Sequence, residues 1–147
     1  MESSLSGTYT IPRFVADAVE LLAERNFDLA LLPYKAHLEA ALAYADMSHT
    51  FDDVVSLVAS GAAQAWPGPA SIIITEIVTF PRWSVLNFFL AAGRMSELQA
   101  MTPHILDWAK AHGCTRATLV GRKGWARSFL TSTGWREKPV RILECAL

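Results

Sequence analysis

From Pro12 onward, apolar residues recur at helical spacing. Phe14, Val15, Ala18, Val19, Leu21 and Leu22 share one side of a helix over 12–26. Pro12 suits a first turn, where its missing N–H is no loss, and Asn26 suits the end of a helix. The small polar residues before it read as a loose arm. FDLALL predicts a short apolar strand over 27–32, closed by Pro33. From Tyr34 the spacing is again helical, with Leu38, Ala41, Leu42 and Ala45 on one face. Thr50 followed by Asp53 resembles a capping box with Asp in place of Glu. Val54, Val55, Leu57 and Val58 supply the apolar side of the helix it opens, and Gly61 closes that helix.

Beyond Gly61 the period shortens. AAQAW predicts a strand, WPGPA a turn, and SIIITEIVTF a long strand rich in β-branched residues, broken by Pro81. SVLNFFLAA is almost wholly apolar, as a central strand buried on both faces would be. Three strands with short links make an antiparallel meander. A helix follows over 96–112, with Leu98, Met101, Ile105, Leu106 and Ala109 facing the core and Pro103 predicting a kink or break. Gly113 ends it. TRATLVG predicts a strand, KGWARSFLTSTG a helix and PVRILECAL a closing strand. The sum is an α+β fold: a mixed, mostly antiparallel central sheet flanked by helices, with an N-terminal helical extension over 1–26 and the main domain over 27–147.

Composition narrows the class. A chain of 147 residues with 52% hydrophobic and 18% charged side chains forms one globular domain and is not disordered. No apolar run reaches the roughly 18 residues of a membrane span. MESSLSGTYT lacks the basic and apolar regions of a signal peptide. Two cysteines, Cys114 and Cys145, fall short of a disulfide framework and fit a reducing cytoplasm. Residues 1–66 carry three basic and nine acidic side chains, whereas residues 67–147 carry ten basic and five acidic. That asymmetry fits an anionic ligand on the second half, or simply two differently solvated faces.

The segment TPHILDWAKAHGCTRATLVGRKGWARSFLTSTGWREKPVRILECAL resembles the C-terminal half of the GNAT N-acetyltransferase superfamily. In that family a helix leads through a Gly-Cys or Gly-Val step into a strand. The next helix carries Asn-x-x-Ala-x-x-x-Tyr-x-x-x-Gly-Phe. Ala126 and Gly134 match, and Trp135 stands at the Phe position. GAAQAW, ITEIVTFPRWSVLNFFLAAG and GRKGW together look like a small GNAT-like group often encoded by tailed bacteriophages. The resemblance spans 27–147 and implies an acetyl-CoA-dependent transfer to an amine. It places the pantetheine arm and the thioester carbonyl against backbone N–H groups of Leu90, Ala91 and Gly93. The phosphates fall near Gly93, Arg94, Met95 and Ser96, with Arg122 and Lys123 close by, and Glu76 would be the base.

The sequence departs from the family at two points. The pyrophosphate loop, Arg/Gln-x-x-Gly-x-Gly/Ala, is here Ala91-Ala92-Gly93-Arg94-Met95-Ser96, which equally reads as a strand–helix turn capped by Ser96. The acidic Tyr falls on Leu130, which has no proton to give, and the family Asn falls on Lys123.

Glu76 is the only carboxylate over 63–90, and its apolar neighbours would raise its pKa; equally, it would face solvent or pair with Arg82. His104 and His112 do not make a metal site with the ligands at hand. Cys114 and Cys145 lack a spaced His or Asp partner and read as small core residues. Arg116, Arg122, Lys123 and Arg127 form a locally basic segment, which the resemblance places at the cofactor edge and which equally reads as exposed charges on a helix; it is too small for nucleic acid in a slightly acidic chain. Trp125, at a helix start, is expected to be exposed, as is the Arg82-Trp83 turn.

Two functions follow. One is an acyl-CoA-dependent N-acyltransferase binding coenzyme A. The other is a degenerate GNAT-fold protein that works by binding, as a virion or assembly component or a binder of a host protein. The N-terminal helix would bury its apolar face on its own domain or on a neighbour, including a second copy.

Overall fold

The computed structural model describes residues 13–121, 123–126 and 133–147. Four helices come first: α1 (Arg13–Ala23), α2 (Phe27–Leu31), α3 (Lys35–Tyr44) and α4 (Phe51–Ala59). The meander β1 (Gln64–Pro67), β2 (Ile72–Thr79) and β3 (Ser84–Ala92) follows, then α5 (Met95–Ala111), β4 (Cys114–Leu119) and α6 (Lys123–Ala126). This is the expected α+β class, with a four-stranded, mostly antiparallel sheet.

Residues 27–32 are helical, not a strand. A short apolar run carries no period to separate the two states, so packing decides. Arg25 turns the chain in the left-handed region (φ 64°), and α2 starts beyond Asn26. Ala30 and Leu31 are then buried, Leu31 in one core cluster with Ala18 of α1 and Val54 of α4. Pro33 does not stop the segment; it sits at the start of a 3₁₀ turn over Leu32–Tyr34, where no N–H is needed. Pro103 likewise leaves α5 unbroken from Met95 to Ala111. Buried Leu98, Ile105 and Ala109 hold that helix against the sheet on both sides of the proline. Residues 139–147 form no strand. The helix expected over 123–134 is described at Lys123–Ala126 and from Thr133; Arg127–Ser132 lie outside the described residues.

The strand order is β1-β2-β3-β4. The first three are antiparallel neighbours, and β4 is parallel to β3, with α5 as the crossover. Ile72 and Ile74 of β2 and Leu90 of β3 pack under α1–α4. Ile73, Leu86 and Phe88 pack under α5. Thr75 is fully buried, and its hydroxyl accepts from Trp66 Nε1 (2.9 Å) and donates to Gln64 Oε1 (2.8 Å), so no buried polar atom there lacks a partner.

The capping box of α4 is present. Thr50 N–H donates to Asp53 Oδ2 (2.8 Å) and Asp53 N–H to Thr50 Oγ1 (3.1 Å). The Thr50 backbone N–H, then its hydroxyl, hold the Asp53 carboxyl below its ordinary value of 3.8. A lowered folded-state pKa adds stability above the unfolded value and loses it as pH falls through the folded one. Asp53→Ala is therefore expected to lower the melting temperature at neutral pH, with the gap to wild type closing in acid. Melts across that range check it; a gap independent of pH would remove the carboxylate from the account.

Candidate functional site: a cleft beyond the end of a parallel strand

β3 and β4 are paired from Ser84–Cys114 to Phe88–Leu119, where β4 ends; β3 runs on to Ala92 and leaves a gap beside its last residues. On its other side β3 stays with β2 to the end, Leu90 on Ile74, Ala91 on Ile73 and Ala92 on Ile72. The register slips at this point. Ile74 faces Leu90 but Thr75 faces Phe88, so Phe89 is the extra residue of a β-bulge. A bulge sharpens the local twist of a strand, and here it falls where β4 stops. N–H groups alternate between the two edges of a strand, so those on the β4 side past Phe88 have no ladder partner there.

A cavity of about 240 Å³ lies in the gap. Ala41 and Tyr44 of α3, with Ala45 just past its end, line it on one side of the sheet, and Leu98 and Thr102 of α5 on the other, so it runs through the sheet plane. Leu90 and Ala91, two of the residues expected to hold an acyl arm, form part of its wall. Trp125 and Trp135 close it; the Trp135 ring meets Phe88 edge-on at 5.7 Å between centroids. Gly121 makes room for this: a Cβ there would run into the Trp125 ring and Leu119. Trp125 is thus half-buried in the cleft, not exposed as its place at a helix start suggests. Tyr44 is the one titratable side chain on the lining among the described residues, and it is 68% exposed at the cleft mouth. Its position at the last residue of α3 carries no sequence motif; only the cavity beyond the end of β4 reveals it.

The turn after β3 is built differently from a phosphate cradle. Gly93 has φ +125°, and a Cβ there would collide with Ser71 Oγ, Ser71 Cα and the Ala70 carbonyl. Ser71 is fully buried; its hydroxyl accepts from Arg94 N–H (2.9 Å) and donates to Glu97 Oε1 (2.7 Å). The same carboxylate oxygen accepts from Ala70 N–H (2.8 Å). The glycine's open side is therefore filled by the chain's own 70–71 loop, and a carboxylate occupies the first turn of α5. That arrangement satisfies the helix end from within and repels a second anion. The residues at 91–96 do not fit a pyrophosphate group. Arg94 is the N-cap of α5, correcting the assignment to Ser96, which lies inside the first turn. Arg94, Met95 and Ser96 are exposed. Lys123 opens α6, while Arg122 and Leu130 lie outside the described residues.

Glu76 lies outside the cleft wall. Its Oε2 accepts from Asn87 Nδ2 (2.9 Å), and Asn87 Oδ1 accepts from Thr118 Oγ1 (3.2 Å). The three form a polar row across β2, β3 and β4, one residue before Phe88. His49, between α3 and α4, stands edge-on to Phe89 at 4.9 Å. Arg116 lies over the Trp83 ring (3.7 Å) toward the hairpin end, away from the cleft. Cys114 is buried, and desolvation pushes its thiol pKa up, which suits a core residue and not a nucleophile; Cys145 is exposed, not a core residue. His112 stacks on Trp108 at 4.1 Å at the end of α5. No group of three His, Cys, Asp or Glu side chains placed to hold a metal occurs among the described residues. No described helix is long and apolar enough to cross a membrane.

No protein-family model matches the chain, and no curated protein sequence does. Solved structures do. A mutant of TTHA1254 from Thermus thermophilus superposes with a TM-score of 0.56 at 14% identity, over 75% of this chain and 90% of that one. An integron cassette protein from the mobile metagenome of V. cholerae gives 0.50 at 14% identity, over 90% and 88%. The tetramutant of BH1408 from Bacillus halodurans gives 0.50 at 12% identity, over 90% and 96%. At such identities the likeness establishes a shared fold and nothing about activity.

Proposed function

We propose that the chain is a GNAT-like N-acyltransferase that moves an acyl group from a thioester, acetyl-CoA being the model donor, to an amine. The observation that carries this reading is the cleft: β4 ends level with a bulge in β3, and the gap beyond it is an apolar passage lined from both sides of the sheet. In it, a thioester carbonyl oxygen meets N–H groups on the open edge of β3 past Phe88. The amine nitrogen attacks the carbonyl carbon, the C–S bond breaks, and the acyl group ends on nitrogen. Glu76 takes the amine proton through a water, and Tyr44, in place of an acid at position 130, gives a proton to the departing sulfur. The nucleotide end of coenzyme A receives no cradle at 91–96, so the thioester arm carries the affinity. The chain would act in a bacterial cytoplasm.

Calorimetric titration with acetyl-CoA, coenzyme A and a phosphate-free acyl pantetheine thioester tests this. Micromolar binding is expected, about −8 kcal/mol, with the phosphate-free thioester within roughly threefold of acetyl-CoA. Ala91→Trp, which fills the cleft from its wall, is expected to abolish binding of both with the fold retained by circular dichroism. No binding at millimolar ligand would end the acyltransferase reading.

A second reading is favoured by the Ser71–Glu97 brace. In it the chain keeps the fold, has lost the donor, and works by holding a phage structural or host protein. The exposed hairpin end, where Phe80 and Trp83 meet at 6.3 Å, is then the contact. Loss of a co-purifying protein in Trp83→Ser, with thioester binding absent, would select it.

A further inference from the structure

Residues 139–147 are written as a strand and have no sheet. Alternate positions place Val140, Ile142, Glu144 and Ala146 on one side, and Arg141, Leu143, Cys145 and Leu147 on the other, so each face is mostly apolar with one charge. In the structure Val140 is 67% exposed, Ile142 78%, Leu143 89% and Leu147 121%. The hydrogen bonds described for the segment are local, Val140 N–H to the Lys138 carbonyl (2.9 Å) and Cys145 Sγ to the Ala146 carbonyl (3.4 Å). The segment begins near Trp135, which is anchored on Phe88.

The same chain has an open sheet edge. β4 ends the strand order, its one partner among the described residues being β3. Thr115 and Arg116 are exposed along it, and it carries no proline. An unpaired edge of this kind is a template for another strand. Among the described residues, each chain thus offers an unpaired strand-like segment and an unpaired edge, and residues 139–147 do not cover that edge.

We propose that residues 139–147 add to the outer edge of β4 in a second copy of the chain, reciprocally, to make a closed two-fold dimer. The exchange satisfies both features in both copies, and an interface in which each copy gives what it receives closes at two. Main-chain hydrogen bonds supply the pairing, and the apolar side chains of the tail gain cover on both faces. The inference is independent of any acyl-transfer chemistry.

Sedimentation of the full chain tests it, with the expectation of a dimer at tens of micromolar. Ile142→Pro removes a ladder N–H at the middle of the tail. It is expected to raise the dimer dissociation constant at least tenfold, leaving the far-ultraviolet spectrum of the core intact because the tail lies outside both cores. In a Cys114→Ala background, a spin label on Cys145 is expected to give a dipolar signal between the two copies that disappears in Ile142→Pro. A chain that stays monomeric overturns the proposal. So does a monomer with a protected tail, which would place the tail on its own β4. A dimer indifferent to Ile142→Pro overturns it as well.

Discussion

Gly93→Ala is expected to cost about 3–5 kcal/mol of folding stability, a large share of what a domain of this size has. Two terms add. The residue sits at φ +125°, where a non-glycine residue is strained by about 1–3 kcal/mol. The new Cβ also lands on Ser71 Oγ, Ser71 Cα and the Ala70 carbonyl. Two of these are backbone atoms, and Ser71 is fixed by its bonds to Arg94 N–H and Glu97. The contact is relieved only by moving the 70–71 loop off the head of α5, which forfeits those bonds as well. Urea denaturation measures the effect. The alternative origin of this glycine, room for a phosphate, makes the opposite forecast: Gly93→Ala would retain wild-type stability and lose affinity for coenzyme A. A stability change under about 1 kcal/mol would sink the structural explanation.

The contrast at Gly93 shows how far the residues alone carry the fold and where they stop. Local rules sufficed for most elements. The capping box at Thr50 and Asp53 marks its helix because its partners are three residues apart. The β-branched run over 72–78 marks β2 because nothing else suits a pleated, buried surface. FDLALL was not legible because its state depends on Ala18 and Val54, which no local rule can see. PVRILECAL shows strand alternation, but alternation states what a segment needs and not whether its own chain supplies it. The site was half legible. Resemblance placed Leu90 and Ala91 on the ligand side, and they line the cleft. It placed a phosphate at 93–96, where the structure has Ser71, a residue more than twenty positions away in the chain. Glu97 went unread because its partners, Ala70 N–H and the Ser71 hydroxyl, lie more than twenty positions away in the chain. Tyr44 escaped because a cleft is a property of register and bulge, and a tyrosine at the end of a helix has no spacing that announces it.

Tyr44 therefore supports the strongest test of chemistry. Tyr44→Phe keeps the ring at the cleft mouth and removes the hydroxyl. If Tyr44 protonates the leaving sulfur, turnover should fall by about 10²–10⁴, the usual contribution of a positioned acid. The Michaelis constant should move little, because the ring still fills its place on the wall. A merely structural tyrosine could lower turnover too, so the leaving group must decide. A thioester of an acidic aromatic thiol departs as a stable thiolate and needs no proton. With that donor the defect of Tyr44→Phe should shrink to a few fold, while the defect with an alkyl thioester remains. Equal loss with both donors would mean that Tyr44 positions the substrate and that the proton comes from water. The described lining of the cleft would then hold no side-chain acid, since Tyr44 is the one titratable group on it.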